Sequence, residues 1–233
     1  MLGTLYVVPT PIGNLEDITL RAIRILREVS FIACEDTRQS IKLLNHFGIE
    51  KKLVSFHSHN QTSRVKQILS ELKSGGSVAL VSDSGTPAIS DPGYLLIKEA
   101  SEEKINVVAL PGACAAICAL SSSGLPTDGF VFLGFLKLKA GKAKKELLAA
   151  SSLGHTVVFY ESPHRIIKTL AMCAEIFPAE SKIVLARELT KKFEEIIRSN
   201  LADVSKSYQS VEPRGEYTVL INTSQKQRKN EEG

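Results

Sequence analysis

The sequence predicts two α/β domains joined by a short linker. Short apolar segments alternate with amphipathic segments of helix length along the whole chain. This alternation is typical of strands connected by helices in a parallel or mostly parallel sheet. A polar stretch with glycine and proline at 121–129 interrupts the pattern, which then begins again. We therefore expect domains at 1–123 and 128–222, followed by a disordered tail at 223–233.

The elements of the first domain follow from apolar runs and from residues that cap helices. Thr19 is a good N-cap for the first helix, and Gly75 and Gly76 end the third. Strands are predicted at 4–8, 31–34, 52–56, 77–82 and 106–110. Helices are predicted at 19–29, 40–47, 61–74, 94–103 and 114–122.

The second domain repeats the pattern with more strands than helices. Strands are predicted at 130–135, 156–160, 182–188, 194–200 and 217–222, and helices at 142–150, 166–176 and 201–208. Ligands of open α/β sheets bind beyond the carboxyl ends of the strands. The segments that directly follow strands are therefore where we expect functional residues.

The formal net charge of +4 lies entirely in the second half of the chain. Residues 1–125 carry 12 basic and 12 acidic side chains, whereas residues 126–233 carry 17 and 13. One basic segment has no acidic residue in it and contains Lys137, Lys139, Lys142, Lys144 and Lys145. Such a cluster can neutralise phosphates, although the solvated start of a helix can have the same composition.

Composition excludes several classes of protein. No apolar run approaches the ~18 residues that a membrane-spanning helix needs, and the first residues lack the basic segment of a signal peptide. The four cysteines have the spacing of neither a zinc site nor a disulfide framework. We expect a cytoplasmic protein with reduced thiols and no metal.

Three loops of the first domain combine small residues with turn residues. They are PTPIGNL at 9–15, DSGTPAISDPG at 83–93 and PGACAA at 111–116, and each follows a predicted strand. Such loops can cradle an adenosyl or phosphate group. The same residues also suit a plain strand-to-helix turn at 9–15 and close packing of a helix on the sheet at 111–116. The chain has neither G-x-x-x-x-G-K-[ST] nor G-x-G-x-x-G, so a nucleoside triphosphate or NAD site lacks its fingerprint. The DSGT segment alone also fits an aspartic protease, but the chain has no second such motif.

Polar residues follow other strands as well. His57 and His59 share a face if their segment is extended, and two histidines can bind a metal, but no third ligand has a diagnostic spacing. The segments FYESPHR at 159–165 and ARELTK at 186–191 place many charges at strand ends. Each can be a solvated loop or part of a site.

Taken in order, these motifs resemble the tetrapyrrole (class III) methylases, in particular the branch that methylates small-subunit ribosomal RNA. The resemblance covers about residues 4–222. It rests on YVVPTPIGNL at 6–15, EDTR at 35–38, HSHN at 57–60, VSDSGTP at 81–87, DPG at 91–93, YESPHR at 160–165 and ARELTK at 186–191.

The resemblance implies a fold and a reaction. The fold has two α/β domains with S-adenosylmethionine (SAM) in the cleft between them, in a homodimer. The reaction is methyl transfer to the ribose 2′-hydroxyl of a cytidine in 16S rRNA, near the decoding centre. The expected partner is therefore the rRNA of the small ribosomal subunit.

The resemblance also implies cofactor contacts, carried over by position. They are Pro9, Asp83, Gly85, Thr86, Pro87, Ile89, Cys114, Ala115, Tyr160, Ala186 and the strand start at Tyr217 and Thr218.

Other roles follow from the positions of residues. Asp36, His59 and Glu161 each lie beyond a predicted strand end and are the candidate proton acceptors. Basic residues that could hold phosphates or polarise the ribose are Arg38, Arg165, Arg187 and Lys191, and the five clustered lysines are expected to contact RNA.

One departure concerns the segment 85–87. Members that act on tetrapyrroles often have Gly-Asp-Pro where this chain has Gly85-Thr86-Pro87. We expect Asp83 to supply the missing carboxylate.

Two other functions stay open. A methylase of a small molecule can use the same fold, but the lysine cluster and the motifs of the RNA branch disfavour it. A non-catalytic RNA-binding module would not need the loops that are shaped for a cofactor.

Overall fold

The computed structural model describes residues 1–223. The tail predicted to be disordered, 223–233, lies outside the described residues except for Thr223. The chain divides into two compact units. Unit 1 comprises Met1–Cys114, and unit 2 begins at Ala115.

Unit 1 is built on a five-stranded parallel sheet with the strand order β3-β2-β4-β1-β5. The strands are β1 (Thr4–Val7), β2 (Phe31–Cys34), β3 (Leu53–Ser55), β4 (Val78–Val81) and β5 (Asn106–Ala109). The helices are α1 (Leu20–Glu28), α2 (Thr37–His46), α3 (Gln61–Lys73) and α4 (Tyr94–Glu102). Apolar side chains of α1 and α2 pack on one face of the sheet, and those of α3 and α4 pack on the other.

In unit 1 the chain leaves two neighbouring strands, β2 and β4, toward opposite edges of the sheet. After β2 the chain moves outward to β3, whereas after β4 it moves the opposite way, to β5. The carboxyl ends of two such neighbours form the crevice in which open α/β sheets bind ligands. Asp36 and Asp83 lie just beyond these two strand ends.

Unit 2 contains a mixed sheet, and the expectation of a parallel or mostly parallel sheet is wrong here. Its strands are β6 (Phe130–Phe135), β7 (Thr156–Glu161), β8 (Lys182–Arg187), β9 (Glu195–Asn200) and β10 (Tyr217–Asn222), in the order β6-β7-β10-β8-β9. β6 and β7 are parallel, while β7 with β10, β10 with β8 and β8 with β9 are antiparallel. The connection from β8 to β9 is too short for the crossover that a parallel pair requires.

Four helices cover the two faces of this sheet: α5 (Ala115–Ser123), α6 (Ala140–Ser151), α7 (Ile166–Ile176) and α8 (Leu201–Ser207). α6, α7 and α8 pack with Phe159 and Leu185 on one face. α5 packs against β7 and β10, and Arg198 of β9 donates hydrogen bonds to the carbonyls of Ser122 and Ser123 at its end. These contacts assign α5 to unit 2, whereas the sequence predicts it at the end of the first domain.

Helix and strand bounds lie close to their predicted positions. The largest difference is at α2, which begins at Thr37 and not at 40. Asp36 causes the earlier start because its side chain accepts a hydrogen bond from the Arg38 N–H and caps the helix. Within residues 1–223, no helix is long and apolar enough to cross a membrane.

Candidate functional site

Hydrogen bonds connect three loops of unit 1 at the carboxyl end of its sheet. Thr10 and Gly85 form an antiparallel bridge, with N–H to O distances of 2.9 and 3.0 Å. The Thr86 hydroxyl donates to the carbonyl of Ala113 at 2.9 Å. The loops that follow β1, β4 and β5 therefore form one surface, which contains the predicted cofactor residues Gly85 and Thr86.

This surface depends on glycine at two positions. Gly85 has a φ of +82°, which side chains of L-residues disfavour. A Cβ on Gly112 would lie 2.5 Å from the Cβ of Pro9. Glycine at 112 therefore lets Pro9 pack directly against the backbone of the loop that follows β5, and glycine at 85 permits the turn of the loop that follows β4. Of the other predicted cofactor residues in unit 1, Pro87 is buried, Cys114 is half-buried, and Asp83 and Ile89 are exposed.

Carboxylates gather at the ends of β2 and β4. The Asp36 N–H donates to Oδ1 of Asp83 at 2.9 Å. Burial and the Asp83 carboxylate raise the pKa of Glu35. Burial, together with the nearby Glu35 carboxylate, raises the pKa of Asp91 to about 6. Sequence reasoning did not select Glu35 or Asp91, although each lies in a motif that follows one of these strands.

The Asp36 carboxylate is already engaged. It accepts the Arg38 backbone N–H at 2.8 Å and pairs with the Arg38 guanidinium at 2.7 Å. Hydrogen bonds from Arg38 lower the pKa of Asp36 to about 2. A carboxylate of such low basicity is a poor proton acceptor. Arg38 itself is exposed, so its guanidinium is accessible to a phosphate.

The two histidines that follow β3 differ in exposure. The His59 ring is exposed and lies 5.9 Å from the His57 ring, centroid to centroid. The Nε2 atom of His57 lies 3.2 Å from the side-chain nitrogen of Asn60. Among residues 1–223, no three histidine, cysteine, aspartate or glutamate side chains are grouped so that they could hold a metal ion.

In unit 2, Tyr160 and Ala186 lie on the face of the sheet that α5 covers. Thr218 of β10 pairs with both of them, so the three side chains share one row across the sheet. The Tyr160 hydroxyl accepts the Ala116 N–H at 3.2 Å, next to Ala115 in the first turn of α5. Three of the predicted cofactor residues, Ala115, Tyr160 and Ala186, are thus brought together.

Tyr217 lies on the opposite face of this sheet from Tyr160. Its side chain is buried in the core of unit 2, and its ring lies 6.1 Å from that of Tyr208. Of the two residues expected to contact the cofactor at the start of β10, only Thr218 lies on the same face as Tyr160 and Ala186. Alternation of side chains along the strand is the signal that distinguishes the two residues.

The Glu161 carboxylate is fully buried and has a complete set of partners. Oε2 accepts the Thr169 hydroxyl at 2.7 Å, and Oε1 accepts the backbone N–H of the next residue and lies 3.4 Å from Nε of Arg165. Arg165 in turn donates to the carbonyls of Leu136 and Lys137, at 3.0 and 3.3 Å. These hydrogen bonds attach the start of the β6–α6 loop to the end of β7. Glu161 and Arg165 are both engaged inside unit 2.

The β6–α6 loop and the start of α6 carry the lysine cluster. Lys144 pairs with Glu175 at 2.8 Å. Lys137, Lys139, Lys142 and Lys145 are exposed, and none of them forms an ion pair with a described residue. Four ammonium groups are therefore accessible to an anion in solution.

The loop after β8 holds its charges in pairs. Arg187 pairs with Glu195 at 2.9 Å. The Lys191 ammonium donates to Glu188 at 2.9 Å and to Glu216 at 2.8 Å. Burial lowers the pKa of Lys191, but hydrogen bonds to these two carboxylates outweigh burial, and the pKa is raised. Lys191 therefore stays protonated and can attract an anion or polarise a hydroxyl, but it does not accept a proton.

A family model of the tetrapyrrole (corrin/porphyrin) methylases matches residues 4–205, most of the chain. The chain belongs to this family. The resemblance and the fold class expected from the sequence are both confirmed. The predicted position of the cofactor between the two domains stays a prediction.

Relatives of this tetrapyrrole methylase include proteins named ribosomal RNA small subunit methyltransferase I. One from Pseudomonas aeruginosa is 49% identical over 94% of this chain and 78% of that protein. One from Bacillus subtilis is 46% identical over 99% of this chain and 79% of that protein.

Solved structures of low identity share the fold. A uroporphyrin-III C-methyltransferase from Thermus thermophilus, in complex with S-adenosyl homocysteine, superposes with a TM-score of 0.66 at 17% identity, covering 95% of this chain and 98% of that chain. A diphthine synthase superposes with a TM-score of 0.72 at 13% identity, covering 94% and 90%.

We expect Glu161→Ala to lower the free energy of unfolding of this tetrapyrrole methylase by about 3 kcal/mol, because it leaves a buried hydroxyl and a guanidinium without their partner. Glu175→Ala removes an exposed ion pair and should cost less than about 1 kcal/mol. Urea titration measures both. Equal losses would contradict a structural role for Glu161.

We expect Asp91→Asn to stabilise the protein at neutral pH by about 1–2 kcal/mol, after allowance for partial exposure. The pKa of Asp91 is raised by folding, so wild-type stability falls as the pH rises from about 4 through 6. The gain in the free energy of unfolding from Asp91→Asn should therefore reach its full value above pH 6 and vanish near pH 4. Thermal melts from pH 4 to 8 test this, with the exposed Asp128→Asn as control. A gain that is independent of pH would contradict it.

Proposed function

We propose that this tetrapyrrole methylase transfers a methyl group from SAM to the 16S rRNA of the small ribosomal subunit. The observation that carries the proposal is an identity of 43–50%, over most of the chain, with relatives named for methylation of small-subunit rRNA. Two solved structures named for uroporphyrin-III methylation are 19% and 17% identical to this chain. The four exposed lysines of the β6–α6 loop and the start of α6 also suit a polyanionic substrate.

The loops of unit 1 fit a cofactor with an adenosyl group. Gly112 is exposed at the carboxyl edge of the sheet, and the small residues around it permit close approach to the backbone. We propose that Pro9, Asp83, Thr86, Ile89 and Cys114 surround the cofactor there, with Gly85 and Pro87. In unit 2 we propose Ala115, Tyr160 and Ala186 as contacts, with Thr218 in place of Tyr217.

The proposed reaction is methylation of the ribose 2′-hydroxyl of a cytidine near the decoding centre. SAM, when bound, supplies a methyl group on a sulfonium cation, and transfer to oxygen releases one proton. Of the expected proton acceptors, Asp36 is weakly basic and Glu161 is inaccessible, which leaves His59. Lys191, held by two carboxylates, would polarise the hydroxyl or hold a neighbouring phosphate.

We propose that the substrate is bound by the exposed lysines 137, 139, 142 and 145 and by Arg38. Arg165 and Arg187 are already paired inside unit 2, so they would act by holding their loops. We also propose a homodimer in the cytoplasm, as the family resemblance implies. Size-exclusion chromatography with light scattering tests the oligomeric state.

One experiment separates this function from its alternatives. Purified protein is incubated with methyl-labelled SAM and with either undermethylated small subunits or porphyrin precursors. Digestion of the rRNA to nucleosides should yield labelled 2′-O-methylcytidine. Label in the porphyrin alone would overturn the proposal, and binding of subunits without any transfer would favour a non-catalytic RNA-binding module.

Replacement of Lys191 should impair catalysis and not cofactor binding. We expect Lys191→Ala to lower kcat with subunits by roughly tenfold or more, because it removes a cation near the developing charge. The Kd for SAM, measured by calorimetry, should stay near the wild-type value. The exposed Lys206→Ala serves as control. An equal loss of SAM affinity would place Lys191 in the cofactor pocket.

Replacement of the lysine cluster should change the salt dependence of RNA binding. The variant has five lysines replaced by Gln: Lys137, Lys139, Lys142, Lys144 and Lys145. The slope of log K against log [salt] is negative, and it should become less steep by about 0.7 for each phosphate that is no longer neutralised. The Kd for SAM should not change. A control variant with the same change of charge in unit 1 has Lys42, Lys66, Lys73, Lys98 and Lys104 replaced by Gln. Equal slopes for the two variants would make the cluster an ordinary solvated surface.

A further inference from the structure

The loop between β8 and β9, residues 188–194, presents an aromatic side chain to solvent. Phe193 is 66% exposed, whereas Leu189 in the same loop is buried. Single exposed apolar side chains are common on protein surfaces, so exposure alone assigns no role to this ring. Its role is inferred from the rigidity of the loop and from the charges beside the ring.

This loop is held rigidly. Lys191 bridges Glu188 and Glu216, and the Thr190 N–H donates to the Glu194 carboxylate at 2.6 Å. Glu188 and Thr190 both adopt positive φ values, +51° and +64°. A loop fixed in this way loses little conformational entropy when a ligand binds to it.

The charges around Phe193 favour an anionic ligand that has a flat, stackable group. The carboxylates of Glu188, Glu194 and Glu195 are engaged by donors of the loop or of β8. The Lys192 ammonium lies over one face of the Phe193 ring, 5.6 Å from its centroid, and forms no ion pair with any residue in 1–223. The opposite face of the ring is the one that a base would stack on. An aromatic face beside an unpaired cation is the combination that binds an unpaired base and its phosphate.

We propose that Phe193 is a stacking platform for an unpaired nucleobase of the RNA substrate, with Lys192 against the adjoining phosphate. The inference rests on the proposed RNA methylation and names one point of contact for that substrate. A second copy of the chain is a less suitable occupant, because the cores of subunit interfaces are depleted of charged residues and Phe193 has charged residues on both sides.

The composition of the chain allows a direct test by fluorescence. The protein contains no tryptophan, so Phe193→Trp creates a single reporter at the proposed platform. A short single-stranded oligoribonucleotide should quench its emission, and an abasic oligomer of the same length should not. Leu153→Trp places the reporter at another exposed position of unit 2 and should respond to neither.

Kinetics with undermethylated small subunits provide the second test. Phe193→Leu keeps an apolar side chain but removes the ring, and should raise KM for subunits roughly 5- to 150-fold. Phe193→Tyr should restore most of the affinity because it restores the ring. The Kd for SAM should be unchanged in both variants, and Leu153→Ala should behave as the wild type.

Several results would overturn the inference. These are equal quenching by the abasic oligomer, quenching by SAM alone, and an emission change that depends on protein concentration without RNA, which would indicate self-association. An unchanged KM in Phe193→Leu would also overturn it while leaving the proposed function intact. Failure of the wild type to methylate subunits would instead overturn the proposed function.

Discussion

The buried carboxylate of Glu161 is the constraint on which much of unit 2 depends. A charge without solvent contact must be matched by donors, and Thr169, Arg165 and a backbone N–H supply them. Arg165 can serve Glu161 and also hold the carbonyls of the β6–α6 loop because its guanidinium has several donors. The exposed lysines of this loop and of the start of α6 therefore project from a segment that the pair of Glu161 and Arg165 holds in place.

The two units present different electrostatic surfaces at the ends of their strands. Unit 1 gathers the carboxylates of Glu35, Asp83 and Asp91, and burial together with neighbouring carboxylates raises the pKa of Glu35 and of Asp91. Unit 2 presents exposed ammonium groups on the β6–α6 loop and at Lys192. Such a division suits an enzyme that must bind a cationic cofactor and an anionic polymer.

Much of the fold follows from the sequence, because apolar runs and capping residues determine where strands and helices lie. The direction of the strands in unit 2 does not, since apolar runs do not specify the partner of β10. For the candidate site, the sequence identifies the residues that directly follow strands, because strand ends can be predicted from apolar runs. The burial of Glu161 and the choice between Tyr217 and Thr218 depend on which face of a strand packs against helices, and that requires the register of the strands.

The close approach of Gly112 to Pro9 limits which substitutions the two loops can accept. Any side chain at 112 would meet the proline ring, so a substitution there requires a smaller or displaced residue at 9. Positions 9 and 112 lie in different loops, yet a side chain at 112 requires a change at position 9 as well. In related chains the two should covary, and a designer who wishes to reshape one loop must redesign the other in the same step.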